Sequence, residues 1–119
     1  MPALAYIFCE SCAAPETGSD WTGEARFLMD GAQEFLTLLE RAGLANLGHP
    51  DVTSLQVSAE TLFEDGEIIG RTTLTAADLA TLLTHAPPEQ HPRLLAWAAF
   101  AYALEGQGQA ARLLIWFVR

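Results

Sequence analysis

Hydrophobic positions change period along the chain, and each period predicts an element. Residues 3–9, Ala-Leu-Ala-Tyr-Ile-Phe-Cys, form a short apolar run rich in strand formers and read as a buried strand. Residues 10–22 contain Pro15, Gly18, Ser19 and Asp20 and read as a loop. From Gly23 to Ala42 the apolar residues Phe27, Leu28, Ala32, Phe35, Leu36, Leu39 and Ala42 recur at three- and four-residue steps, which predicts one long helix. Glu24 then falls in its first turn, and Gly43 supplies the left-handed stop, with Leu44 folding back on Leu39.

Period two follows. Leu55, Val57, Ala59, Thr61 and Phe63 alternate with polar partners, Asp65-Gly66 suits a tight turn, and the chain returns through residues 68–74. Thr75 with Asp78 three residues on resembles a capping box and opens a second helix, which Pro87-Pro88 stops. A third helix starts near Pro92 and runs to Gly106; being apolar almost all round, it is expected to be largely buried. The end, Leu113 to Val118, suits either a central strand or a helix packed on its predecessor.

Topology favours the strand. The order becomes β-α-β-β-α-(α)-β, so the fold class expected is α+β: a single two-layer domain over residues 1–119 in the ferredoxin-like split β-α-β order, with one extra helix. Both terminal strands would be central, as their apolar sequences require. The alternative keeps an N-terminal α/β part and turns residues 92–118 into a C-terminal helical hairpin at Gly106-Gln107-Gly108. With 119 residues there is enough chain for one core and no second.

Charge adds a functional hint. Fifteen acids face six bases, all of them arginine, for a net charge of −9. Residues 1–67 hold twelve acids and two arginines, net −10; residues 68–119 are net +1. Such a surface repels nucleic acid and speeds encounter with a basic partner. The start lacks the basic stretch of a secretory signal. The longest uncharged apolar run, Leu94 to Leu104, would rise about 16 Å as a helix, half a bilayer core. These features point to a cytoplasmic protein without a membrane span.

Candidate chemistry is sparse. Cys9 and Cys12 form a Cys-x-x-Cys, yet no helix begins at the motif to lower a thiol pKa, and a strand would aim the two side chains to opposite faces. A zinc site would need two more ligands from the scattered His49, His85 and His91. A buried Cys9 with an incidental Cys12 is the simpler reading, and no cofactor is expected. Glu60, Glu64, Asp65 and Glu67 at the hairpin tip lack the spacing of a calcium loop. No nucleophile elbow or phosphate-cradling glycine loop is present, so the sequence leans away from an enzyme. The reading reached is a small acidic protein that binds another protein, as an inhibitor or adaptor would. Asp30, Glu34, Glu60, Glu64, Asp65 and Glu67 are its expected contacts, with Trp21 as an aromatic anchor. A metal or thiol protein and a self-associating subunit, with a homodimer as its commonest form, are the alternatives.

Overall fold

Four antiparallel strands and three helices make up the computed structural model, which describes residues 4–13, 21–50 and 67–119. The elements are β1 (Leu4–Cys12), β2 (Thr22–Met29), α1 (Gln33–Ala42), β3 (Ile68–Thr75), α2 (Ala76–Leu83), a short 3-10 turn (Pro88–Gln90), α3 (His91–Gly106) and β4 (Ala110–Val118). The sheet order is β2-β1-β4-β3. The result is a two-layer α+β fold, with the helices on one face of the sheet. The first and last strands lie at its centre, and Leu4 to Cys12 pair residue by residue with Val118 to Ala110. The C-terminal segment is thus a strand, which excludes the helical hairpin.

One element departs from the expected order. The long helix over 23–42 is a strand, β2, followed by a shorter helix, α1. Ala25, Phe27 and Met29 pair opposite Cys9, Ile7 and Ala5 and join the same core, so period two governs this stretch. Gly31 then takes φ +59°, which breaks the chain direction before α1 begins. Glu24 lies at an irregularity in the β1–β2 register instead of in a first helical turn. All three strand pairings are antiparallel, so the split β-α-β arrangement, which needs parallel neighbours, does not describe this sheet. The loop expected from residue 10 also gives way, because β1 continues through Cys12. The strand expected over 55–63 and the hairpin tip at Glu64, Asp65 and Gly66 lie outside the described residues; the returning strand is β3.

Two helix ends behave as their residues demand. Gly43 at φ +73° ends α1, and Leu44 N–H donates to the Leu39 carbonyl at 2.9 Å, the expected fold-back. At α2, Asp78 N–H donates to Thr75 Oγ1 (3.1 Å) while Thr75 N–H donates to Asp78 Oδ2 (2.9 Å), a complete capping box.

The main core lies between sheet and helices. Ile7, Phe35, Leu39, Leu74, Leu79, Leu82, Leu94, Leu113, Ile115 and Phe117 are fully buried there. Trp97 stacks on Phe27 and meets Phe35 edge-on, each at 5.6 Å between ring centres. A second cluster forms on the opposite face from Leu114, Trp116 and Val118, with Tyr6, Phe8 and Ile68 against it. Residues 44–49 strap the outer edge of β3 and run from the first cluster to the second. Gly48 N–H donates to the Arg71 carbonyl, Thr73 Oγ1 to the Gly48 carbonyl, and Thr72 Oγ1 to the Leu44 carbonyl. His49 ends the strap, its Nε2 at 2.9 Å from the Ile115 carbonyl and its ring edge-on to Trp116. An edge strand held this way presents fewer free backbone groups to another chain.

Candidate functional site

Among the described residues a concavity lies where β2 hands over to α1. Met29 ends the strand, Asp30 and Gly31 turn, and α1 starts with Glu34 in its first turn. Against this wall runs the connection from α2 to α3. Pro87-Pro88 forces it out of helix, His91 Nε2 sits 2.9 Å from the Ala86 carbonyl, and Pro92 opens α3. Between the walls is a cleft of about 530 Å³. Buried Met29, Phe35 and Leu94 form its floor, and exposed Asp30, Glu34, Glu89 and Arg93 stand at its rim. Three carboxylates against one guanidinium leave the rim negative above an apolar base.

A smaller hollow of about 280 Å³ adjoins it, sharing Glu34, Glu89 and Gln90 and adding Thr37, Arg41 and His85. His85 therefore lies near two carboxylates. Among the described residues its ring forms no hydrogen bond or ion pair with either.

Of the contacts expected from sequence, Asp30 and Glu34 meet in the large cleft. Glu67 is exposed but lies where β3 begins, its backbone exchanging two hydrogen bonds with Arg119. Glu60, Glu64 and Asp65 lie outside the described residues. Trp21 sits at the far end of β2 from Asp30, about 30 Å away at the rise of a strand. Its half-buried ring stacks against Arg112, whose Cζ is 3.5 Å from the ring centre, so the ring is not presented as a free anchor beside the acids.

Two features escaped the sequence reading. Glu89 joins the rim only because the proline-led turn brings residues 88–90 across to α1. Glu10 is fully buried and accepts from Arg112 Nε at 2.5 Å, directly across the β1–β4 ladder. The signal was available: if β1 continued past Cys9, period two would put Glu10 on the same face as Tyr6 and Phe8.

The strand does not bring the two cysteines together. Both are buried and unbridged, and three residues apart on a regular strand they point to opposite faces. Burial, then the nearby negative charges of Glu24 and Glu10, push the Cys9 thiol up to about 11. That is the reverse of what a redox nucleophile needs. Glu24 is itself engaged, accepting from Ser11 Oγ at 2.6 Å. Among the described residues no three His, Cys, Asp or Glu side chains gather as metal ligands would. Nor, among them, is any helix long and apolar enough to cross a membrane.

Comparison of the chain with family models, with curated proteins and with solved structures finds no match.

Proposed function

We propose that the protein acts by binding another protein, in the manner of a small inhibitor or adaptor, and that the cleft between α1 and the α2–α3 connection receives a cationic side chain of that partner. One observation carries the reading: Asp30, Glu34 and Glu89 converge at the rim of a cleft whose floor is Met29, Phe35 and Leu94. A lysine or arginine side chain is apolar along its stem and charged at its tip, and it matches that floor and rim in turn. Exposed ion pairs contribute about 0.2–1 kcal/mol each, so a single residue would be held weakly and a basic surface patch more firmly. The net charge of −9 adds long-range attraction, which speeds encounter. Cys9 and Cys12 are both buried and not joined to each other, which is compatible with action in the cytoplasm.

The test is a titration of the full chain with a dye-labelled tetra-arginine peptide, followed by fluorescence anisotropy. Binding at low salt should fade at about 0.3 M salt, where charges are screened over a few ångströms. Glu34→Gln combined with Glu89→Gln should weaken it, while Glu67→Gln leaves it unchanged. Equal weakening by all three substitutions would reduce the site to diffuse charge and overturn the assignment to the cleft. Absence of binding at low salt would overturn the whole reading.

A further inference from the structure

The two hollows beside α1 form one groove, and its charges are not uniform along it. Glu34, Thr37, Leu38 and Arg41 recur at three- and four-residue steps, so they share one side of α1. Glu34 belongs to both hollows, as do Glu89 and Gln90 on the facing connection. The hollows therefore lie in a row along the helix, with these residues between them. The larger one ends on Asp30 and Arg93, the smaller on Arg41 and His85, with buried Leu38 at its base. Arg41, in the last turn of α1, stands seven residues from Glu34, about 10 Å at the helical rise. Both are exposed, and among the described residues neither forms an ion pair with the other charges of the groove. One end is thus acidic, and the other offers a guanidinium free to meet an anion.

The spacing of the hollows selects the ligand further. The larger meets the chain from Met29 to Phe35 and the smaller meets it from Gln33 to Arg41. Their centres are displaced by about five residues, roughly 7–8 Å at the helical rise. Side chains on one face of an extended segment repeat every two residues, about 6.6–6.8 Å. We propose, resting on the larger hollow as the cation site, that the groove binds an extended partner segment in which a basic and an acidic residue are separated by one other. The basic side chain enters the larger hollow, and the acidic one reaches Arg41 and His85 in the smaller. An acid directly next to the base points to the opposite face of the segment and misses the second hollow. Diffuse attraction to a chain of charge −9 penalises any acid in the partner, whereas this arrangement rewards one at a single spacing.

The test is a titration of the ¹⁵N-labelled full chain with capped tripeptides at millimolar concentration and low salt. Arg-Ala-Glu and Glu-Ala-Arg cover the two directions in which the segment can run. Arg-Ala-Gln and Gln-Ala-Arg remove the acid, while Arg-Glu-Ala and Ala-Glu-Arg set it next to the base. The better of the first two should bind about threefold more tightly than its glutamine and adjacent-acid counterparts, the scale of one exposed ion pair. Amide shifts at Thr37, Arg41 and His85 should accompany those of residues 29–35 and 89–94. Arg41→Gln should abolish the preference, and Arg41→Lys, which keeps the charge, should retain most of it. Glutamine peptides that bind as well or better overturn the proposal, as does a preference that survives Arg41→Gln. Acid-bearing peptides that fail to bind while tetra-arginine does so overturn it too, and in each of these cases the cation site stands. If no peptide, tetra-arginine included, moves residues 29–35 and 89–94, the cation site fails and this proposal with it.

Discussion

Replacing Arg112 with Met should be among the most damaging single changes in the sheet. Arg112 donates to Glu10 from the neighbouring central strand, and the Glu10 carboxylate is fully buried. Removing the guanidinium takes away both the charge partner and the cover stacked on Trp21. Breaking a buried pair by deleting one member costs about 3–5 kcal/mol, because the remaining charge keeps its desolvation penalty and loses its compensation. Domains of this size are stable by roughly 5–15 kcal/mol, so Arg112→Met removes a large part of the total. The assay is urea unfolding followed by tryptophan fluorescence. With a denaturant slope of about 2 kcal/mol per molar, the midpoint should fall by roughly 1.5–2.5 M. Glu10→Leu combined with Arg112→Met removes both charges and should recover most of that loss, since apolar replacement of a buried pair is often neutral or better. A single substitution costing under about 1 kcal/mol, or a double variant no better than the single, would refute the reasoning that burial of Glu10 makes this pair matter.

Three further outcomes follow from the same structure. Thr75→Ala deletes one half of the capping box at α2 and should cost about 1 kcal/mol, measured as a lowered urea midpoint with an unchanged slope. Cys9, pushed up from 9.0 to about 11, should resist iodoacetamide at pH 8 in a Cys12→Ser background and react at once in urea. Because the unfolded thiol ionises first, its contribution lowers stability as pH rises from 9 towards 11. Burial holds His49 below its ordinary 6.5, so the unfolded chain takes up a proton more readily and stability falls as pH drops below about 6.5. His49→Gln should flatten that part of the pH profile relative to the wild type.

Which elements could be read in advance follows from how local their causes are. The capping box at Thr75, the stop at Gly43 and the proline break after α2 depend on residues within a few positions of one another, and all three stand as expected. The first central strand was legible as a continuous apolar run; the last, Leu113 to Val118, suited strand or helix by its pattern, and only topology favoured the strand that forms. Residues 23–29 were not legible, because Phe27-Leu28 fits a helical face and Ala25, Phe27 and Met29 fit a strand equally well. The choice was made by β1, whose free edge pairs with them, and by Gly31, which is costly inside a helix and useful in a turn. On α3, apolar residues on every side implied burial on every side, whereas Leu94, Trp97, Ala98 and Ala101 are buried and Leu95, Phe100 and Tyr102 are exposed. At the candidate site, Asp30 and Glu34 were legible as exposed acids on one stretch of chain. Glu89 was not, since its place beside them depends on a tertiary contact between two distant segments.

The claim that the acidic cleft receives a cationic group is tested most directly by where a cationic peptide touches the protein. Titrating ¹⁵N-labelled full chain with tetra-arginine at low salt should shift amide resonances of residues 29–35 and 89–94, with little change around Trp21 and Arg112 at the other end of the sheet. Shifts spread evenly over the exposed acids, or concentrated away from Asp30, Glu34 and Glu89, would contradict the account.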